Sequence, residues 1–186
     1  GAGGDYEIEQ SLRFDDGSGS YLSWTPASAG NRKTWTWSGW VKRGSIGVAS
    51  SIFSAYPASG PVDTTVLQFG FTSDDKFQLG LQSAYAIQTT QVFRDASSWY
   101  HISVVIDTTE STVNNRLKLY INGTEVTSFS TDNKAVIANN ADTGVNATNP
   151  HRLSTLLSNS WYFDGYLSEV NFIDGQALTP DSFGET

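Results

Sequence analysis

The sequence predicts an all-β domain built from two packed antiparallel sheets. Aromatic residues make up 13% of the chain, which is typical of β-rich domains. Apolar and polar residues alternate in many short segments, and clusters of Gly, Asn, Asp and Ser separate these segments. Alternation places one row of side chains on each face of a strand. Because almost no helical pattern occurs, the apolar rows can be buried only by packing one sheet on another.

The predicted strands extend over most of the chain. They cover residues 11–14, 21–24, 34–42, 51–55, 66–71, 76–82, 99–107, 117–121, 124–127, 151–157 and 162–173. Residues 138–150 are polar and rich in Asn, which predicts a long surface loop. Residues 178–183 predict one helical turn, capped by Thr179 and with Pro180 at its first position. We expect the first and last strands to pair with each other.

The clearest local signal is the dipeptide Asn122-Gly123, which lies between two alternating runs. Both residues tolerate the positive φ of a type I′ turn, so the dipeptide predicts a tight β-hairpin.

The tryptophans indicate where the core lies. In the run 34–42, alternation puts Trp35 and Trp37 on one face and Trp40 on the opposite face. We expect Trp35, Trp37 and Trp99 to lie in the core, since tryptophan is strongly buried on average.

Composition limits the partners. The chain carries 11 basic and 19 acidic residues, a net charge of −8. Nucleic acid is not an expected partner, because phosphate binding needs a basic surface. Anionic membrane surfaces are disfavoured for the same reason, and no apolar run is long enough to span a bilayer. We expect one domain over residues 6–186, preceded by a linker or cloning scar at residues 1–5.

Several stretches in a fixed order resemble a known family. They are SLRFDDGSGSYLSW, TWTWSGWVKRG, SSWYHISVVIDTT with NRLKLYINGTEV, and YFDGYLSEVNFIDGQALTPDSFGE. Together they resemble laminin-G-like, concanavalin A-like lectin/glucanase domains. The segments NRKTWTWSGWVKRG and FIDGQALTP are similar in sequence to domains of bacteriophage tail and fibre proteins. The resemblance implies a jelly-roll sandwich with one concave and one convex sheet. It also implies binding of glycans or proteins, sometimes through calcium, with glycoside hydrolysis in a minority of members.

The sequence gives little support for catalysis. Glycoside hydrolysis needs two carboxylates at a defined separation, and no E-x-D-x-x-E array occurs. Asp164 and Glu169 are five residues apart, which places them on opposite faces of a strand. His101 lies inside an apolar strand and is expected to be structural, and His151 is expected at the surface. We therefore predict a domain that is not an enzyme.

Calcium is the cofactor to consider, because it prefers the hard oxygen ligands that loops provide. The candidate ligands are Asp15 and Asp16 in one turn, with Asp164 and Glu169 from the closing strand. The alternative is that Asp15-Asp16-Gly17 serves only as turn chemistry, because Asp tolerates tight turns.

Carbohydrate binding requires an exposed aromatic ring beside amide or carboxylate groups. Two segments offer this combination. The ligand-binding candidates are Asn159, Trp161 and Tyr162 in the first segment, and Tyr56, Asp63 and Tyr85 in or near the second. The alternative for Trp161 is a place in the core.

Three functions follow from these features. The first is a non-catalytic adhesion domain that recognises host surface glycan or polysaccharide, carried on a phage tail fibre, another virion appendage or an extracellular protein. The second is a structural module that contacts other subunits of a virion appendage. The third is a glycoside hydrolase.

Overall fold

The computed structural model describes residues 8–55, 67–81, 84–156 and 159–184, and within them it confirms a sandwich of two antiparallel sheets. The six-stranded sheet has the spatial order β1 (Leu12–Phe14), β13 (Gly165–Asp174), β3 (Thr34–Arg43), β8 (Tyr100–Asp107), β9 (Leu117–Ile121) and β10 (Thr124–Glu125). The seven-stranded sheet has the order β11 (Phe129–Asp132), β7 (Ala84–Val92), β6 (Lys76–Leu81), β5 (Leu67–Phe71), β4 (Ser50–Ala55), β12 (His151–Leu153) and β2 (Leu22–Trp24). Short 3-10 turns occupy Val113–Asn115, Lys134–Val136 and Pro180–Phe183. None of the described helical segments could span a membrane.

Most predicted strands are confirmed with changes at their ends, the largest being that β12 ends at Leu153 and not at residue 157. The prediction that residues 138–150 form a surface loop was wrong in part, because Thr143, Val145 and Asn149 are buried. β1 pairs antiparallel with β13, as expected for the first and last strands. Both turn residues of the predicted hairpin have positive φ, 49° at Asn122 and 75° at Gly123. Pro180 begins the final helical turn, but the prediction that Thr179 caps it was wrong, because its side chain makes no capping hydrogen bond.

Strands β7 and β11 were not predicted, and for β7 an irregularity explains why. Its register against β6 shifts between the pairs Leu79↔Ile87 and Gly80↔Tyr85, so Ala86 is an extra residue. A bulge of this kind breaks the alternation from which strands are recognised in sequence.

The core lies between the two sheets and is largely aromatic. Trp35 and Trp37 are fully buried, as predicted, and the Trp37 ring meets Phe69 edge-on with 5.1 Å between ring centroids. The prediction for Trp99 was wrong, because its side chain is only half-buried and packs against Tyr166. Trp99 lies just before β8. By alternation it shares a face with His101 and not with the apolar row of that strand.

A buried ion pair joins the two sheets at one end of the sandwich. Arg43, the last residue of β3, is 1% exposed, and its guanidinium lies 3.0 Å from the carboxylate of Asp75. Asp75 belongs to the turn between β5 and β6, and its carboxylate also accepts the N–H of Gly47 at 2.7 Å and the Nε–H of Arg94 at 3.0 Å. Burial would raise the pKa of Asp75, but Gly47 and the two arginines together lower it, so the carboxyl is charged.

Both histidines are buried, and the surface position predicted for His151 was wrong. Its Nε2 accepts the backbone N–H of Asn146 at 2.9 Å, and its Nδ1 donates to the carbonyl oxygen of Asn149 at 2.8 Å. His101 shares a 2.9 Å hydrogen bond with Ser38, as expected for a structural histidine. Burial lowers the pKa of His151 and also that of His101.

We predict that Asp75→Asn destabilises the domain by about 3–5 kcal/mol, because it leaves the Arg43 charge buried without its counter-ion. Urea unfolding followed by tryptophan fluorescence measures this. The matched control is Asp142→Asn, whose partner Arg32 is 3.5 Å away and whose side chain is 50% exposed. The control should change stability by about 1 kcal/mol or less. Equal effects of the two substitutions would contradict the importance of the buried pair.

We also predict that the free energy of unfolding falls as the pH drops below 6.5, the ordinary pKa of histidine. The folded histidines resist protonation while the unfolded ones accept it, so acid favours unfolding by up to about 1.4 kcal/mol per pH unit for each histidine. Above pH 6.5 the histidines are neutral in both the folded and the unfolded state, so they cause no loss of stability there. Urea unfolding between pH 7.5 and 5.5 checks the slope, and His151→Gln should reduce it by about half. A slope that His151→Gln leaves unchanged would show that His151 does not titrate in this way.

Candidate functional site

A groove of about 290 Å³ lies on the outer face of the seven-stranded sheet. It combines two exposed aromatic rings with amide, hydroxyl and carboxylate groups. The described residues that line it are Ala49, Thr72, Ser73, Asp74, Gln78, Tyr85, Gln88 and Trp161. Concave surfaces with a few convergent polar groups are where proteins usually bind small molecules.

The floor of the groove comes from the two central strands. β5 and β6 send their Phe and Leu side chains into the core, which leaves Gln and Gly for the outer face. The register places Gln68 opposite Gly80 and Gly70 opposite Gln78. The Nε2–H of Gln88, on the neighbouring strand, donates to Oε1 of Gln78 at 3.3 Å. The floor is therefore made of Gln and Gly residues, with the amides of Gln78 and Gln88 bonded to each other and Gln78 only 5% exposed.

Tyr85 forms one side of the groove and is 40% exposed. The β7 bulge at Ala86 keeps Tyr85 and Gln88 on the same outer face although they are three residues apart. The tyrosine ring lies over Gly80, since a Cβ atom there would stand 3.0 Å from the ring carbon Cδ1. The absence of a side chain at residue 80 therefore makes room for this ring.

Trp161 forms the opposite side and is 37% exposed. Its carbonyl oxygen accepts the N–H of Ser51 at 2.7 Å, which fastens the loop to β4. The backbone of Trp161 has a φ of 55°, an unfavourable value for a bulky residue. A conformation of this kind persists only where surrounding contacts impose it, and such residues cluster at functional sites.

Arg152 supplies a second contact that holds this loop. Its guanidinium donates to Oδ1 of Asn159 at 2.7 Å and to the carbonyl oxygen of Leu156 at 3.3 Å. The same guanidinium lies over the Tyr21 ring, 4.7 Å from its centroid. Asn159 has a φ of 53° and is two residues from Trp161. Arg152 and Asn159 therefore position the segment that presents the tryptophan.

The carboxylate of Asp74 lies at one end of the groove. It forms an ion pair with the ammonium of Lys76 at 2.9 Å and accepts a hydrogen bond from the hydroxyl of Thr72. The Lys76 ammonium and then the Thr72 hydroxyl hold the pKa of Asp74 below its usual value. The turn that carries Asp74 is fixed by its neighbour Asp75 through the buried ion pair with Arg43.

The structure brings together only some of the predicted ligand-binding residues. Trp161 and Tyr85, proposed from separate segments, line the same groove. Asn159 supports the loop instead, and Tyr162 packs beside Gly19 in the turn after β1. Tyr56 and Asp63 lie outside the described residues, so their role stays a prediction.

The floor amides Gln78 and Gln88 were not predicted as site residues. A sequence signal existed for Gln78, because it occupies the polar row of a recognised strand. Gln88 lies on the strand that the bulge concealed. Thr72 could not be identified, because its position in the groove depends on how its turn folds.

Three of the four proposed metal ligands come together. Ligand atoms of Asp15, Asp16 and Asp164 lie within 4.8 Å of one another, and Glu169 is outside this group. Both Asp15 carboxylate oxygens accept backbone N–H groups of the turn, at 3.2 Å each, as the alternative reading predicted. Asp164 already contacts the guanidinium of Arg13 at 2.6 Å. The oxygen donors are of the type that calcium prefers, but the Arg13 guanidinium on Asp164 would lie close to a bound cation and repel it.

Two arrangements could suggest catalysis, but the first is closed to substrate and the second has one carboxylate among the described groove residues. Ser38 and His101 share a hydrogen bond, but Ser38 is fully buried and His101 is 2% exposed, so no substrate reaches them. Asp74 is the only carboxylate among the described groove residues. Hydrolysis of a glycosidic bond ordinarily requires two.

Solved structures support the fold. The heptameric pentraxin of Limulus polyphemus aligns with a TM-score of 0.56 at 19% identity, covering 88% of this chain and 73% of the pentraxin. The CBM40 of a Ruminococcus gnavus sialidase, bound to α2,3-sialyllactose, aligns with a TM-score of 0.58 at 14% identity, covering 89% of this chain and 96% of that one. Domain 4 of a Geobacillus stearothermophilus GH43 arabinanase, in complex with arabinotriose, aligns with a TM-score of 0.56 at 19% identity. The alignment covers 82% of this chain and 66% of the arabinanase domain.

The sequence comparisons address the family directly. No curated protein matches the chain significantly. Residues 16–182, however, match the family described as the concanavalin A-like lectin/glucanases superfamily. This match covers most of the chain, and the two-sheet topology agrees with it. The chain therefore belongs to the concanavalin A-like lectin/glucanase superfamily.

Proposed function

We propose that this protein is a non-catalytic carbohydrate-binding domain whose site is the groove between Trp161 and Tyr85. The observation that carries the proposal is that two exposed rings and two amides share one groove. Aromatic rings stack on the C–H faces of sugars, and amides both donate to and accept from sugar hydroxyls. The sialyllactose and arabinotriose bound by the structural neighbours add support at the level of the fold.

We further propose that the domain works as an adhesin on a phage tail fibre or another virion appendage and recognises host surface polysaccharide. A shallow, open groove favours modest affinity for one site. Several copies on one particle would raise the overall affinity, because the second binding event becomes intramolecular. Purified domain that competes with phage for adsorption to host cells would support this role.

The groove also favours binding without hydrolysis. Its carboxylate, Asp74, is engaged by Lys76 and has no second carboxylate among the described lining residues. Release of reducing ends from a bound oligosaccharide would contradict a non-catalytic role.

We predict that Trp161→Ala and Tyr85→Ala each weaken binding of a glycan identified on an array by about tenfold or more, since buried aromatic contacts often contribute over 1 kcal/mol. Isothermal titration calorimetry measures the change. The matched control is Tyr166→Ala, because Tyr166 is also 37% exposed but lies on the other sheet. The control should leave affinity unchanged. Glycan binding that survives both groove substitutions would contradict the assignment of the site.

Calcium is a separable part of the proposal. If the domain uses it, Asp15, Asp16 and Asp164 would hold the ion, and none of these residues lines the groove. We therefore predict that EDTA leaves the glycan affinity of the groove unchanged, as measured by the same calorimetry. A large loss of affinity that calcium restores would instead show that a metal ion takes part in binding.

A further inference from the structure

The polar groups of the groove indicate which glycans it can accept, provided that the proposed function holds. We propose that the groove selects neutral glycans over carboxylate-bearing ones, and that the Asp74–Lys76 ion pair determines this selectivity. Asp74 lines the groove, and its side chain is 57% exposed. Lys76 lies on the same outer face as Gln78, one pleat away.

The positive charge beside the groove is already neutralised. The Lys76 ammonium is held 2.9 Å from the Asp74 carboxylate. An anionic sugar must therefore compete with Asp74 for this ammonium. Among the described arginines, Arg152 is bound to Asn159 and lies over the Tyr21 ring, and Arg94 is ion-paired with Asp75 in the turn that carries Asp74. The charge of the whole chain, −8, adds a general repulsion of anions.

The remaining groups suit hydroxyls rather than carboxylates. Gln78 and Gln88 are uncharged, so neither offers a positive charge that would compensate a sugar carboxylate. Asp74 retains acceptor capacity, because a carboxylate has about four lone-pair sites and Lys76 and Thr72 use only part of them. A pair of neighbouring sugar hydroxyls can donate to these sites, whereas a sugar carboxylate has no hydrogen to donate.

Calorimetry on matched glycan pairs tests the proposal. The probes are 3′-sialyllactose and oligosaccharides containing uronic acids, each against the same molecule after carboxyl reduction. The wild-type domain should bind the neutral member about tenfold more tightly. Added salt should narrow the difference, because it screens exposed charges.

Two substitutions should shift the preference in opposite directions. Asp74→Asn frees the Lys76 ammonium, so binding of the acidic member should strengthen and the tenfold difference should shrink or reverse. Lys76→Met leaves Asp74 unbalanced, so the acidic member should bind still more weakly. Asp181→Asn is the control, since it removes an exposed carboxylate outside the groove and should alter neither affinity.

The outcomes separate this inference from the proposed function. If the acidic member binds as tightly as the neutral one and Trp161→Ala abolishes both, the selectivity is overturned while the groove remains a glycan site. If Asp74→Asn and Lys76→Met leave the ratio unchanged, the ion pair is not its cause. If no glycan of the array or of the pairs binds at all, the proposed function itself fails.

Discussion

The ion pair between Arg43 and Asp75 is the constraint on which both the sandwich and its groove depend. Two charges removed from water are tolerated only when they compensate each other closely, so neither residue can move without the other. Arg43 ends a strand of one sheet and Asp75 lies in a hairpin of the other. Their contact fixes the separation of the sheets at this end and also the turn that carries Thr72 and Asp74. A group buried in the core thereby sets the position of groups at the surface.

The groove is built where the regular structure is interrupted. The bulge at Ala86 turns Tyr85 outward, and the positive φ of Trp161 turns that ring toward it across the floor. A regular pair of strands would have placed at least one of these side chains elsewhere. The regular strands β5 and β6 contribute the floor, along which Gln and Gly alternate. Rigid strands thus hold the floor, while irregular backbone aims the two rings.

The sequence predicted the sandwich well because burial imposes a period of two. Trp35 and Trp37 follow that period and lie in the core, whereas Trp99 is just outside its strand and could not be placed by it. Trp161 and Tyr85 were proposed as binding residues, with the core as the alternative for Trp161, but nothing local showed that they share a groove, because strand order decides this. His151 was misplaced for a related reason. Its partner Asn146 belongs to a loop whose path depends on the whole fold.

Gly70 limits how the floor can vary. A Cβ atom at this residue would stand 2.1 Å from the carbonyl oxygen of Ser50 and 2.8 Å from Cα of Ser51, both in the backbone of β4. Any larger residue would push β4 away from β5, and Ser51 would carry the loop of Trp161 with it. Relatives whose grooves accept different ligands are therefore expected to keep this glycine and to differ in the amides and in the loop. New specificities would then arise by exchanging side chains around an unchanged backbone.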